Sequence, residues 1–370
     1  MTNILLVTGL VAGGVGRHVQ GLAAGLVAEG HTVSVACPPV VATQFEIADT
    51  GAIVVPVEIG PRPSPRRDRA ATAALRAAMA EVDVVHAHGL RAGALSLFAR
   101  RGEDRPLVVV TSHNAAPRGR VAALIHHGLE RKVCHDADLF LGVSEDLIAR
   151  ARERGAPEAD RAVVAAARAL PETAPEQVRT ELGLTDGQRL VVAVGRLTPQ
   201  KGFDRLLEVI GRIEFAGVDM RVVIAGDGPQ GEALQRTIDR RALPVTLLGR
   251  RADVADLLGA ADLAVSAARW EGQPVWLQEA LSVGAPIVAT DVGGTAEVLD
   301  GGGVLVPEDD PEALAGAMAA VLTDPAHRAE LRRRSLRRAE QLPTGEDAVR
   351  AALTAYARAG DLTRAPGDVD

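Results

Sequence analysis

At 370 residues the chain is too long for one ordinary hydrophobic core and fits two domains. Two cysteines, Cys37 and Cys134, exclude a disulfide framework, MTNILLV lacks a basic signal region, and no run reaches bilayer-spanning length, so a cytoplasmic protein is expected, at most peripheral at the inner face of the membrane. The net charge of −7 is uneven: residues 1–170 carry 19 Lys and Arg against 17 Asp and Glu, the remainder 22 against 31, which excludes a general nucleic-acid surface on the second half.

Short β-branched runs alternate with Ala-rich helical patterns along the chain, the signature of parallel sheets with crossover helices. ILLVT, TVSVA, IVVPV, VDVVHAH, LVVVTS and LFLGVS are the predicted strands of the first half; LVVAVG, RVVIAG, VTLLG, LAVSA, PIVAT and GVLVP are those of the second. Two such sets predict two doubly wound, Rossmann-like α/β domains, over 1–168 and 169–345, with the boundary in the Pro-interrupted VVAAARALPETAPEQ. Residues 346–370 are expected to form a helix and a frayed tail, RAPGDVD, the helix crossing back to the first domain.

The first strand delivers GLVAGGVGRHV, where Gly13, Gly14 and Gly16 would let the backbone approach a ligand at a helix start. A dinucleotide fingerprint is excluded, because Val19 stands where its third glycine would be and no acidic residue follows the second strand, which ends in Cys37-Pro38. Arg62, Arg66, Arg67 and Arg69 share a Pro-rich stretch that reads as a solvated loop, with contact to an anionic lipid or acceptor as the alternative. His86 and His88 lie two apart near a strand end and so share a face; His113 takes the same place after the next strand. Three histidines at adjacent strand ends favour a polar, ligand-lining role over core packing. Asp136 and Asp138 form a D-x-D pair, but acidic residues leading into a strand are usually turn residues, and no metal is expected.

In the second half, Arg196 and Lys201 follow the strand LVVAVG in a loop that turns into FDRLLEVI. Two cations beside a positive helix end would repel one another without an anion, so a diphosphate is their natural partner. The stretch WEGQPVWLQE places Glu271 in a loop after a strand and Glu279 on the following helix. Carboxylates beside an anion site suit a ligand that also carries hydroxyls, as a sugar nucleotide does.

Taken in order, GGVGRHV (13–19), VHAHG (85–89), TSHN (111–114), GVSEDL (142–147), GRLTPQKG (195–202), IAGDGP (224–229), EGQPVWLQEAL (271–281) and ATDVGGTAEV (289–298) resemble the retaining glycosyltransferases of family 4. The resemblance implies a GT-B fold, two Rossmann-like domains facing across a cleft, with a nucleotide sugar such as a UDP- or GDP-sugar on the second and the acceptor on the first. It assigns Arg196 and Lys201 to the diphosphate, Glu279 to the ribose, Glu271 to a sugar hydroxyl, and Gln273, Pro274 and Val275 to the sugar and phosphate. His113 would face the sugar, Gly14 and Gly16 would approach the phosphates, and His86 and His88 would lie on the acceptor side. Transfer of a hexose-type sugar with retention, front-face and without cofactor or metal, is implied; the acceptor is unidentified, with a lipid-linked sugar, a phosphoinositide and a small metabolite all open and the Arg-rich stretch tilting toward a lipid-linked or anionic one. Three departures stand out. VVAAARALPE replaces the family's Pro-Asn-Gly-Val-Asp linker, Ala267-Ala268 replace its Pro-Ser, and Gln273 replaces the aromatic of its Gly-Phe-Gly or Gly-Phe-Pro loop. The alternatives are a nucleotide-sugar epimerase of the same fold and a donor-binding protein without turnover.

Overall fold

A computed structural model describes residues 1–11, 13–101, 105–113, 120–166, 170–215 and 217–363. The chain divides into two compact units: the first comprises Met1–Ala165 and Pro343–Asp370, the second Ala166–Leu342. The divisions thus fall at 165/166 and 342/343, against 168/169 and 345/346 read from the sequence.

The first domain is built on a parallel sheet of β1 (Asn3–Thr8), β2 (Thr32–Cys37), β3 (Ile53–Pro56), β4 (Val84–His88), β5 (Leu107–Ser112), β6 (Leu139–Gly142) and β7 (Ala159–Arg161). Their order is β3-β2-β1-β4-β5-β6-β7. The second domain carries β8 (Arg189–Val194), β9 (Met220–Ala225), β10 (Val245–Gly249), β11 (Leu263–Ser266), β12 (Ile287–Thr290) and β13 (Val304–Val306) in the order β10-β9-β8-β11-β12-β13. Each sheet starts in the middle and winds outward both ways. Strand order therefore reverses between β1 and β4, and between β8 and β11, which is where open α/β sheets take ligands at their strand carboxyl ends.

Both faces of these sheets are covered, so central strands are apolar throughout instead of alternating. Every residue of β4, β11 and β12 is buried. Leu5, Val7, Val85 and Val110 lie in one core, Val191, Val222, Leu206 and Ile210 in another, and each buried side chain of this kind contributes about 1.5–3 kcal/mol. All predicted strands are present. β7 was not anticipated, because Ala-Asp-Arg offers no apolar run.

Five helices matter below. Helix α1 (Gly14–Ala28) follows β1, and α2 (Pro65–Ala78) follows β3. In the second domain α3 (Phe203–Phe215) follows β8 and α4 (Val275–Ser282) follows β11. Helix α5 (Gly345–Thr363) closes the described chain and belongs to the first unit. Its Val349 occupies the space where Gly25 of α1 has no side chain, and Arg358 pairs with Glu158 at 2.6 Å and Asp160 at 2.5 Å. The tail RAPGDVD lies outside the described residues.

One loop expectation is corrected. Arg66, Arg67 and Arg69 stand in the first turns of α2, which opens at Ser64-Pro65; Asp68 accepts from the Ser64 N–H at 3.0 Å and pairs with Arg91 at 2.6 Å. Only Arg62 remains in the preceding loop; all four guanidinium residues are exposed.

Candidate functional site

In the second domain three loops interlock at the carboxyl ends of β8, β11 and β12. The β8 loop leads through Arg196, which is exposed, and a single 3-10 turn (Pro199–Lys201) to Gly202. Gly202 has φ +65°, and a Cβ there would overlap the Ala267 carbonyl oxygen just beyond β11, so only glycine fits. The two loops are further tied by Arg269 N–H donating to the Gln200 carbonyl at 2.8 Å and by the Gln200 amide donating to the Trp270 carbonyl at 3.1 Å. The Arg269 guanidinium grips Asp204, at the start of α3, at 2.9 and 2.7 Å. The β12 loop joins them through Gly294, whose N–H donates to Gly272 O at 2.8 Å, and Gly293 (φ +50°) lies against the Glu271 carbonyl with no room for a Cβ.

Within this frame the Lys201 ammonium donates to the Glu271 carboxylate, and Gly195 lets the Lys201 methylenes pass close to the backbone, about 3.2 Å from where a Cβ would stand. Glu271 is only 5% exposed and Glu279 7%. Buried carboxylates are retained where they are partnered or functional. Glu279 lies four residues beyond Val275 on α4, hence on the same helix face, and side chains there lean toward the amino end. That end has no side-chain cap, Pro274 is its N-cap, and Gln273 and Val275 are half-buried around it. Trp276, in the first turn, carries a buried indole N–H with no acceptor among the described residues, a donor that the sequence reading missed. Thus Lys201 and Glu271 are in contact, Arg196 shares the Lys201 loop, and Gln273, Pro274, Val275 and Glu279 frame the start of the adjoining helix.

In the first domain the histidines expected at strand ends form one buried cluster. His86 Nδ1 lies 2.8 Å from the Tyr356 hydroxyl of α5, and His86 Nε2 lies 2.7 Å from Thr111 Oγ1 on β5. His88 Nδ1 lies 3.1 Å from His113 Nε2. His18 of α1, not singled out from the sequence, stands edge-on to both, with ring centroids 5.4 Å from His88 and 5.9 Å from His113. Tyr356 was likewise missed. Burial holds these rings neutral: it pushes His18 down to about 4 and His86 to about 3, the latter helped by the neighbouring His18 ring, beside which a second positive charge would be repelled. For His88 and His113 burial again comes first and the neighbouring imidazoles add to it, holding both well below the ordinary histidine value. Burial pushes the Tyr356 hydroxyl up.

Gly14 and Gly16 open α1. Gly16 is buried, and a Cβ there would collide with the Phe45 ring. Asn114, the last residue of TSHN, lies outside the described residues. The D-x-D acids are held in ion pairs, Asp136 with Lys132 at 2.5 Å and Asp138 with Arg100 at 2.5 Å. Among the described residues no three His, Cys, Asp or Glu side chains are arranged to hold a metal.

Comparison with known proteins follows the same division. Residues 13–167 match the family described as glycosyl transferase 4-like domain, and residues 188–324 match glycosyl transferases group 1. The α-D-kanosaminyltransferase of Streptomyces kanamyceticus is 31% identical over 182 residues, covering 48% of this chain and 46% of the relative. In that pairing the match spans about half the length of the relative. The D-inositol 3-phosphate glycosyltransferase of Kineococcus radiotolerans is 31% identical over 326 residues, covering 75% of this chain and 72% of the relative. Among solved structures, Anabaena HepE in complex with UDP and glucose superposes with a TM-score of 0.80 at 19% identity, over 97% of this chain and 100% of that one. With both domains matched in order and a relative of this identity aligned over most of its length, the chain belongs to the group 1 glycosyltransferase family and has the GT-B fold.

Proposed function

We propose that the protein transfers a hexose-type sugar from a nucleotide-diphosphate sugar to a hydroxyl acceptor with retention of configuration. The observation that carries this reading is the Lys201–Glu271 pair, held by three interlocked loops where strand order reverses in the second domain. Lys201 and Arg196 are the groups to neutralise the diphosphate as the anomeric C–O bond breaks and negative charge gathers on the departing phosphate. Fixed cations are worth most in a site from which water is excluded. Glu271, already bonded to Lys201, would exchange part of that contact for a sugar hydroxyl, and Glu279 would accept from the ribose hydroxyls. His113 is the contact assigned to the first domain. In this reading the leaving phosphate takes the acceptor proton, and the two cations do the work that other transferases give to a metal.

Two features favour an anionic acceptor. Arg62, Arg66, Arg67 and Arg69 are exposed on the first domain, and one relative is named for D-inositol 3-phosphate. No helix of the described chain is long and apolar enough to cross a membrane; contact with one would be peripheral.

A thermal-shift screen of uridine, guanosine and adenosine diphosphate sugars, with and without chelator, tests the donor assignment. A ligand at about 100 times its Kd should stabilise by roughly 2.7 kcal/mol. Stabilisation by one base series, unchanged by chelator and lost in Lys201→Ala, is the expected result. A chain that responds to none of them, or whose Lys201→Ala variant transfers sugar normally, is not using the site in this way.

A further inference from the structure

We infer that His88 is a positioning residue that fixes the proton of His113 on Nδ1, by donating its own Nδ1–H to His113 Nε2. β4 and β5 are parallel neighbours with His88 opposite Thr111, so His113, two residues beyond Thr111, comes within reach of His88 across the strand ends. The 3.1 Å contact between His88 Nδ1 and His113 Nε2 joins two neutral rings. A neutral imidazole has one N–H and one lone pair, so one ring must donate and the other accept.

The choice is made by the far nitrogen of His88. His88 Nε2 is buried and has no partner among the described residues. His86 cannot serve it: its ring lies 4.3 Å from that of His88, but one of its nitrogens is bonded to Tyr356 and the other to Thr111. If His113 donated, His88 would accept at Nδ1 and bury an orphan N–H at Nε2. If His88 donates, only a lone pair is left unpaired, and buried orphan N–H groups are the rarer of the two. The proton of His113 then sits on Nδ1. On the glycosyl-transfer reading, from which this consequence alone follows, His113 offers substrate a hydrogen-bond donor and not a general base.

The test is imidazole 15N–1H long-range correlation on the full chain labelled at histidine, at neutral pH, with His113 assigned by its loss in His113→Gln. The wild type should show the Nδ1–H tautomer at His113. His88→Asn, whose amide can replace the Nδ1–H donor, should keep that signature; His88→Leu should lose it to the Nε2–H or a mixed form. An Nε2–H tautomer at wild-type His113, or a His88→Leu spectrum unchanged at His113, overturns the inference. Should His88→Leu fail to fold, the wild-type spectrum decides alone. No donor or acceptor enters the measurement, so its failure is separable from failure of the transferase reading.

Discussion

Acid should unfold the first domain ahead of the second, because among the described residues only burial and neighbouring imidazoles, and no carboxylate, act on its histidine cluster. Burial holds His18 at about 4 and His86 at about 3 in the folded chain, whereas both take up protons near 6.5 once unfolded. Stability is therefore complete above the unfolded value and drains away as pH falls toward the folded values. Each imidazole withdraws about 1.4 kcal/mol per pH unit across that window. From about pH 6.5 to about pH 5 the two rings together withdraw about 3 kcal/mol, a large share of the roughly 5–15 kcal/mol that holds a domain folded. His88 and His113 push in the same direction. Hydrogen exchange read by mass spectrometry resolves the domains: peptides from β4 and β5 should lose protection between about pH 7 and about pH 5, after correction for intrinsic rates, while those from β8 and β9 should not. His86→Gln should flatten the dependence by about one proton. Equal loss in both domains, or an unchanged slope in His86→Gln, would refute the reasoning.

The Lys201–Glu271 pair can be weighed without any substrate. Lys201→Met leaves Glu271 buried without a counter-charge and should destabilise the second domain by about 3 kcal/mol, the low end for a buried pair because the Lys201 side chain is 17% exposed. Adding Glu271→Gln should recover most of the loss in urea titrations followed by fluorescence of Trp270 and Trp276; a coupling below about 0.5 kcal/mol would contradict it. Gly293→Ala must push a Cβ into the Glu271 carbonyl at φ +50°, so it should lose about 2 kcal/mol or more and blunt any donor-induced stabilisation. Gly316→Ala, inside helix Pro311–Thr323 with nothing within 4 Å, should instead gain about 0.5–1 kcal/mol, and a loss there would show that the glycine argument is misapplied.

Much of this architecture is legible in the letters because parallel strands covered on both faces are written as unbroken Val, Leu and Ile, as in LVVVTS and RVVIAG. Where a strand is three residues long and polar, as Ala159–Arg161 is, no such signature exists. The start of α2 was written plainly: Ser64 precedes Pro65 at the first helical position and Asp68 folds back onto the Ser64 N–H. The prolines around it drew attention to a loop instead. Gly16 has a packing constraint that local letters do not announce, since the ring that crowds it, Phe45, lies far along the chain. Lys201 and Glu271 stood out by their places after strands and by resemblance, but their contact joins residues 70 apart. No periodicity announces that Tyr356 meets His86 from 270 residues away, or that His18 closes over the rings of His88 and His113.

That Tyr356 belongs to the first domain has a bearing on how the molecule is made. The chain leaves that domain at Ala165 and rejoins it only at Pro343, with 166–342 as the other unit between. A ribosome releasing the polypeptide from its amino end thus completes the second unit while the first still lacks α5, the clamp on α1 and the hydroxyl that seats His86. The earlier-born half matures last. Until then its imidazole cluster lies open to water on the side that α5 will cover, and nascent chains truncated before Gly345 should engage chaperones through the first domain.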